Sequence, residues 1–328
     1  MPKAAFFSNS QRLIAHVYPE DRLASLGQLT FYPEVITRDS FASHVANLSD
    51  VEFIFSTWGM PELTGDEIAQ MPMLSAVFYA AGTVKYFAKP FLDQGVRIFS
   101  AWAANAVPVG EFTAAQIVLA NKSFFRANRL MQQGEKPRGL RMSGNYGTGV
   151  ALLGAGMVGR EVIRCLGHCD LTISVFDPFL DSASAQQLGV SKVGLAEAFR
   201  DYTVVSNHLA NVPETEGMIT GDLMASLPEG ATFINTGRGA TVRENEMVDV
   251  LRSRPDITAL LDVTDPEPPE PGSDLYDLPN VWLTPHIAGS LGNEVVRMGD
   301  LMIEEFHRDQ AGDGVRYEVF ADQLVTMA

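Results

Sequence analysis

Cysteine and basic residues are scarce in this chain, and each shortage excludes a class of protein. The 328 residues include 2 cysteines, Cys165 and Cys169, which are too few for the disulfide framework of a small secreted protein. Lysine and arginine number 24 against 40 aspartates and glutamates, and the formal net charge is −16. Because so acidic a protein repels phosphate groups, we expect no nucleic-acid partner and no membrane partner.

Long apolar runs are missing as well. Runs such as 149–159 fall short of the roughly 18 residues that a membrane helix needs. The first eight residues, Met-Pro-Lys-Ala-Ala-Phe-Phe-Ser, contain no apolar segment of signal-peptide length. We therefore expect a cytoplasmic protein with two reduced thiols, and no metal site, since Cys165 and Cys169 have no matching pair of further ligands.

Short apolar runs rich in β-formers alternate with helix-length amphipathic segments throughout the chain. This alternation predicts parallel sheets covered by helices on both faces. The eleven runs are 4–7, 29–32, 51–56, 76–80, 96–100, 150–154, 171–176, 203–206, 232–235, 257–261 and 281–283. Eleven strands are too many for one comfortable α/β sheet, and a chain of this length suggests about two domains. The sequence thus predicts two doubly wound α/β domains.

Two segments are expected to be longer helices. The first runs from Val107 to about Gln133, with Pro108 near its start, where proline is tolerated. The second runs from about Gly292 to Arg308. Both have apolar residues at helical spacing.

A glycine motif follows the predicted strand that begins at Val150. Gly154, Gly156 and Gly159 form G-x-G-x-x-G between that strand and a helix, which is the context of a dinucleotide-binding turn. Asp177 ends the next strand, where a carboxylate can bind both ribose hydroxyls of NAD and repel the extra phosphate of NADP. The alternative is a glycine-rich turn followed by a helix-capping aspartate.

Three later strands end in charged residues. Arg238 lies in Asn-Thr-Gly-Arg-Gly at 235–239, Asp262 and Glu267 follow another strand, and His286 follows a third. Open α/β sheets bind ligands at the carboxyl ends of their strands, so these side chains are expected to converge near a cofactor bound at the glycine motif.

With these motifs in order, the chain resembles the D-specific 2-hydroxyacid dehydrogenase family over nearly its whole length. The glycine motif, N-x-G-R-G, D-V-x-x-x-E-P and T-P-H-I carry the resemblance. It implies a flavodoxin-like substrate domain, 1–103 and 290–328, and a Rossmann NAD-binding domain, 104–289. It also implies NAD as cofactor, a small 2-oxo or 2-hydroxy acid as substrate, and a homodimer.

The resemblance assigns catalytic roles to three residues. Arg238 would bind the substrate's carbonyl and carboxylate oxygens, and His286 would protonate the ketone oxygen as hydride arrives. Glu267 would be the partner of His286, favouring the imidazolium and fixing the ring. The chemistry suits these residue types, because a forming alkoxide needs a proton source and an anionic substrate needs a guanidinium.

The resemblance also implies a set of cofactor contacts. Asp262 would contact the nicotinamide carboxamide and His208 would line the cofactor cleft, while Asn105 and Glu111 would border the nicotinamide. The full set of implied cofactor-binding residues is Gly154, Gly156, Met157, Val158, Gly159, Asp177, His208, Thr236 and Asp262.

The loop that binds the substrate carboxylate departs from the family pattern. It consists of Tyr79-Ala-Ala-Gly-Thr-Val-Lys85, without the usual Asp-Asn pair. The resemblance makes Tyr79, Ala81 and Gly82 substrate-binding residues, the last two through their backbone amides. Tyr79 is large, and Trp58 and Trp102 lie in or beside loops that border the substrate in this family. These aromatic side chains could stack on a large apolar or ring-bearing 2-oxo acid or could simply shrink the pocket; of the two, we favour a substrate larger than pyruvate.

Two other functions remain open. Some proteins of this fold act as NAD(H)-responsive binding or regulatory proteins, and the presence of Arg238, Glu267 and His286 argues against that without excluding it. A formate dehydrogenase would pair its histidine with glutamine, so Glu267 argues against this activity.

Overall fold

The computed structural model describes residues 1–135, 140 and 142–325, which form two α/β units. Of the described residues, unit 1 contains Met1–Asn105 and 290–325, and unit 2 contains those between Ala106 and Gly289. Each unit has its own parallel sheet and its own core.

Thirteen strands are found in the described part of the chain. In chain order they are β1 (Lys3–Phe7), β2 (Thr30–Phe31), β3 (Val51–Ser56), β4 (Ala76–Tyr79), β5 (Arg97–Ser100), β6 (Tyr146–Leu153), β7 (Asp170–Phe176), β8 (Ser191–Lys192), β9 (Val204–Asn207), β10 (Thr232–Asn235), β11 (Thr258–Leu261), β12 (Val281–Leu283) and β13 (Glu318–Val319).

Thirteen α-helices, most of them between the strands, accompany these strands over the same residues. They are α1 (Gln11–Val17), α2 (Glu20–Leu23), α3 (Phe41–His44), α4 (Gly65–Ile68), α5 (Ala88–Asp93), α6 (Trp102–Asn121), α7 (Phe124–Gln132), α8 (Met157–Leu166), α9 (Ser182–Leu188), α10 (Leu195–Asp201), α11 (Gly221–Ala225), α12 (Glu244–Ser253) and α13 (Glu294–Ala311).

The sheet of unit 1 has the order β13-β5-β4-β3-β1-β2, and all its strands are parallel except β13. Without β13 this is the flavodoxin-like order, in which the chain starts near one edge and doubles back. Alternate residues face opposite cores, because side chains alternate along a strand. Ile54 and Val77 pack on one face, whereas Phe55 and Phe78 pack on the other.

The sheet of unit 2 has the order β12-β11-β10-β9-β6-β7-β8, and every pairing is parallel. The strand order reverses at β6, so β6 and β9 flank the switch point where doubly wound sheets bind their ligands. Its strands are buried on both faces, which explains their nearly continuous apolar sequences. The expectation of two doubly wound domains is confirmed.

The predicted long helix is wrong as a single element. The structure begins a helix at Trp102 and ends it at Asn121, and α7 starts at Phe124. Ser123 between them has φ +50°, a left-handed conformation that stops one helix before the next begins. Pro108 therefore lies inside α6 and not at its first turn. The strand predictions omitted the two-residue strands β8 and β13, which are too short to show a pattern.

Candidate active site

The glycine turn between β6 and α8 leaves room for a ligand. Gly154 has φ +97°, a conformation that favours glycine. A Cβ on Gly159 would lie 2.1 Å from the carbonyl oxygen of Gly154, whereas one on Gly156 would meet nothing within 4 Å. Gly156 precedes α8 without a side-chain cap, so the first N–H groups of the helix are free to bind an anion. The turn thus fits a pyrophosphate.

Asp177 follows β7 and lies against this turn. Its Oδ2 accepts from the backbone N of Ala155 at 2.7 Å, and its Oδ1 accepts from the N of Phe179 at 2.7 Å. A carboxylate oxygen has a second acceptor site, so both can still accept from ribose hydroxyls. In the first turn of α8, Met157 is exposed and Val158 packs partly against the core.

His208 and Thr236 lie in a buried hydrogen-bonded row. The imidazole Nε2 is 2.9 Å from Ser206 Oγ, and Nδ1 is 3.3 Å from Thr236 Oγ1, which in turn lies 3.0 Å from Thr113 Oγ1. Burial lowers the pKa of His208 to about 3, so the ring is neutral at physiological pH. Since both ring nitrogens have protein partners, His208 can influence a cofactor here through the position of Thr236.

Arg238 follows β10 in a loop that two glycines allow to pass close to its neighbours. A Cβ on Gly239 would lie 2.1 Å from the carbonyl of Thr264, and one on Gly237 would lie 3.1 Å from the carbonyl oxygen of Asn207. The Arg238 Nη1 donates to the carbonyl oxygen of the preceding residue, Gly237, at 2.8 Å. Burial lowers the pKa of Arg238, while the negative charge of Glu267 acts in the opposite direction.

A buried amide pair fixes the Arg238 loop. Asn207 Nδ2 donates to Asn235 Oδ1 at 3.0 Å and to Thr241 Oγ1 at 2.8 Å. Thr241 Oγ1 donates to the carbonyl of Arg238 at 2.8 Å, and Asn235 Nδ2 donates to it at 3.2 Å. These three residues hold the backbone from which the guanidinium extends.

Glu267 and His286 form a direct pair. Their Oε1 and Nδ1 atoms lie 2.7 Å apart, and both side chains are partly exposed. His286 has φ +54°, one of two non-glycine residues in the described chain with a positive φ. Such a backbone is costly for a residue with a Cβ and persists only where its surroundings impose it.

Asp262 imposes that backbone. Its buried carboxylate accepts from the Thr284 hydroxyl at 2.6 Å and from the N–H groups of Ile287 and Ala288 at 2.8 and 2.9 Å. Its carbonyl oxygen accepts from the N–H of His286 at 3.0 Å. Asp262 was predicted to contact the nicotinamide, but most of its hydrogen-bonding capacity goes to the loop that carries His286.

The substrate loop of unit 1 differs from expectation at Tyr79. Its side chain is 2% exposed, packs against Phe87 with 5.0 Å between ring centroids, and has its hydroxyl 3.1 Å from that of Tyr86. Burial raises the pKa of Tyr79 well above its usual value. The ring therefore belongs to the core on one face of the sheet. Tyr79 faces this core because it lies on β4 two residues after Val77, and alternate residues of a strand face the same side.

The backbone N–H groups of the same loop differ in whether they have a hydrogen-bond acceptor. The N–H of Ala81 donates to the carbonyl of Tyr79 at 2.9 Å. Among the described residues, by contrast, no acceptor faces the N–H of Gly82 or of Thr83. The side-chain amide of Asn105 lies beside them, since its Nδ2 would be 3.7 Å from a Cβ on Gly82. Gly82 and Thr83 are thus better placed than Ala81 to bind an anion.

The two tryptophans lie at the same edge of this sheet, after β3 and β5. Trp58 is half-buried, and its carbonyl accepts from Ser8 Oγ at 2.9 Å. Trp102 is also half-buried and contacts Tyr317 edge-on, with 5.8 Å between ring centroids.

Of the two residues expected to border the nicotinamide, Asn105 accepts through Oδ1 from the N of Ser290 at 3.0 Å. Glu111 is exposed on α6.

Several residues of the site were not anticipated from the sequence. Asn207, Asn235, Thr241 and Thr284 support the loops of Arg238 and His286 through buried or partly buried hydrogen bonds. For Asn207, Asn235 and Thr284 the signal was a polar residue at or just beyond the end of an apolar strand, whereas Thr241 lies further from β10 and gave no such signal.

No helix in the described ranges is long and apolar enough to cross a membrane.

Comparison with known proteins shows which family the chain belongs to. Residues 114–288 match the sequence model of the D-isomer specific 2-hydroxyacid dehydrogenase NAD binding domain. The chain is 27% identical over 231 residues to D-3-phosphoglycerate dehydrogenase of Archaeoglobus fulgidus, which covers 69% of this chain and 43% of that protein. The match thus spans less than half of that relative's length.

Solved structures show the same fold over nearly the whole chain. A phosphoglycerate oxidoreductase from Rhizobium etli superposes with a TM-score of 0.79 at 19% identity, over 99% of this chain and 100% of that one. The D-mandelate dehydrogenase of Rhodotorula graminis gives a TM-score of 0.77 at 18% identity, over 97% and 98% of the two chains. The family match includes Arg238, Glu267 and His286 and the nicotinamide dinucleotide turn. The chain belongs to the D-isomer specific 2-hydroxyacid dehydrogenase family.

Proposed function

We propose that this protein is an NAD(H)-dependent oxidoreductase that interconverts a 2-oxo acid and a D-2-hydroxy acid. The observation that carries the proposal is the 2.7 Å contact between Glu267 and His286, on the same strand-end edge of unit 2 as Arg238 and the glycine turn. A histidine held by a carboxylate is suited to move a proton, and the family supplies the D stereochemistry.

His286 would be the general acid and base. With its Nδ1–H donated to Glu267, its Nε2 is the nitrogen left to hold the transferred proton. Glu267 would fix the ring and stabilise the imidazolium. A bound nicotinamide dinucleotide would supply or accept the hydride at the substrate carbon. In reduction, His286 would then deliver its proton to the oxygen that carries the developing negative charge.

Arg238 would bind and polarise the substrate. One of its Nη atoms donates to Gly237, which leaves the other N–H groups of the planar fork for the oxygens of a 2-oxo acid. Although burial lowers its pKa, an arginine remains charged in a protein. A partly desolvated guanidinium interacts more strongly with an anion than an exposed one.

In unit 1, Gly82 and Thr83 would bind the substrate carboxylate through their backbone N–H groups. Trp58 and Trp102 would set the size of the side chain that is accepted. Since the Tyr79 ring is part of the core, we retain the preference for a substrate larger than pyruvate on the two tryptophans alone.

We further propose that the protein is a homodimer. Helix α7 has no buried residue, yet it carries the apolar side chains Phe124, Leu130 and Met131. An apolar helix surface of this kind is typical of a subunit interface. Light scattering of the full chain, and of Phe124→Asp, tests this proposal; a monomeric wild type contradicts it.

A panel of 2-oxo acids with NADH, followed at the absorbance band of the reduced nicotinamide, tests the activity. We expect turnover with at least one acid, and Arg238→Ala should raise KM and lower kcat because it removes a charge-assisted fork. Arg238→Lys should recover only part of the loss, since an ammonium lacks the fork. A wild type that binds NADH but reduces nothing would favour an NAD(H)-responsive binding protein.

A further inference from the structure

Among the described residues, one arginine beside the glycine turn has no acidic partner. Arg160 is exposed, and no carboxylate of the described residues lies within 4.0 Å of its guanidinium. Arg164, one turn further along α8, contacts Glu161 instead. In a chain with a net charge of −16, an arginine without an acidic partner next to a ligand-binding turn indicates an anionic ligand.

The side chain of Arg160 turns back toward the start of α8. Helical side chains point toward the N-terminus, and the Arg160 Nε donates to the carbonyl of Ala155 at 2.9 Å. The N–H of Ala155 donates to the carboxylate of Asp177. Asp177 and Arg160 therefore bind the N–H and the carbonyl of the same residue in the turn. The Arg160 Nε therefore lies against the carbonyl of Ala155, the residue that precedes Gly156, and a Cβ built on Gly156 would meet nothing within 4 Å.

We propose that Arg160 binds a phosphate group of the dinucleotide through its Nη atoms. The Nε bond to Ala155 fixes the plane of the guanidinium and leaves both Nη atoms for phosphate oxygens, a geometry that suits a two-pronged contact. This inference rests on the NAD-binding role of unit 2. The phosphate is either the pyrophosphate or the 2′-phosphate of NADPH, where the cation would offset repulsion by Asp177.

Binding measurements separate these sources. We would titrate wild type, Arg160→Ala, Arg160→Lys and the control Arg164→Ala with NADH, NADPH, ADP, 2′-AMP and adenosine, at fixed ionic strength. Loss of one charge-assisted contact should weaken binding about tenfold to a hundredfold. We expect Arg160→Ala to show this loss with NADH and ADP, but not with adenosine. Arg164→Ala should bind every ligand as wild type does, because its charge is taken up by Glu161.

The outcomes are distinct. A loss confined to NADPH and 2′-AMP would support the phosphate contact and assign it to the 2′-position. Wild-type affinity of Arg160→Ala for all five ligands would overturn the inference while leaving the proposed function intact. A wild type that binds neither NADH nor NADPH would overturn both. The thermal unfolding midpoint of each variant verifies that it is folded.

Discussion

The two parallel sheets end in very different edges. In unit 2 the strand ends carry Asp177, Arg238, Glu267 and His286, and hydrogen bonds fix the loops that carry them. In unit 1 the corresponding edge carries tryptophans and a short loop in which the N–H groups of Gly82 and Thr83 have no acceptor among the described residues. The matched family domain, residues 114–288, covers the first edge and not the second.

This difference indicates that the proposed function restricts the residue types more at the edge of unit 2 than at the edge of unit 1. Hydride transfer with an acid–base pair demands particular charged groups in particular positions, so the proposed function requires these residue types at the edge of unit 2. Recognition of a substrate side chain demands only a matching shape, which many apolar residues can provide. We therefore expect changes at the edge of unit 2 to affect the rate, and changes at the edge of unit 1 to affect the choice of substrate.

The largest effect is expected from His286→Ala. Loss of a general acid lowers the rate by roughly 10²- to 10⁴-fold, and NADH affinity should change less than twofold because His286 is outside the glycine turn. Steady-state rates and NADH fluorescence titrations measure both quantities, with His168→Ala, an exposed histidine of the same unit, as control. Full activity in His286→Ala would refute the assigned mechanism.

The next effect concerns the stability of unit 2 at low pH. Burial lowers the pKa of His208 to about 3, against about 6.5 when unfolded. Between these values the unfolded chain binds the proton and the folded chain does not, so stability is full above pH 6.5 and falls as the pH drops. From pH 7.5 to 5 the loss should be about 2 kcal/mol.

Urea unfolding at pH 7.5 and pH 5 measures this loss. His208→Asn cannot take up a proton, so its unfolding midpoint should change less between the two pH values than that of the wild type. Asp256 and Glu67, whose pKa values are lowered to about 2 by Arg254 and Arg38, contribute equally in both proteins. Equal pH dependence in the two proteins would mean that His208 is not buried as described.

Much of unit 2 could be predicted from sequence because its signals are local. Arg238 and His286 each lie shortly after the end of an apolar strand, and parallel strands bring such positions to one edge, so both could be assigned to a site. The supporting role of Asp262 could not be predicted, since it depends on backbone N–H groups 25 and 26 residues further along the chain.

Unit 1 was harder to predict for a related reason. Tyr79 lies at the very end of a strand, where one position decides whether a side chain enters the core or points to the loop. Its pairing with Tyr86 and its packing on Phe87 require tertiary structure. The break in the long helix likewise depends on one backbone conformation, at Ser123.

Cofactor choice should respond more modestly. The carboxylate of Asp177 would repel the 2′-phosphate of NADPH, which costs about 1–3 kcal/mol, or roughly tenfold or more in affinity. We expect kcat/KM to be higher with NADH than with NADPH. Asp177→Asn should lower the ratio of the two kcat/KM values, because it removes the negative charge. Equal efficiency of the wild type with both cofactors would contradict the role of Asp177.

The smallest effect, and the most direct test of the edge of unit 1, is a change in substrate preference. If Trp58 and Trp102 contact the substrate side chain, Trp58→Ala and Trp102→Ala should lower kcat/KM for phenylpyruvate about tenfold relative to pyruvate, which corresponds to about 1.4 kcal/mol of lost apolar contact. Tyr79→Phe is the matched control, because it removes one aromatic hydroxyl from the core: it should cost about 1 kcal/mol of stability and leave the ratio unchanged. Competition between the two acids with NADH gives the ratio directly. A wild type that prefers pyruvate or glyoxylate, or a ratio that changes in Tyr79→Phe and not in the tryptophan variants, would show that this edge does not select substrates by size.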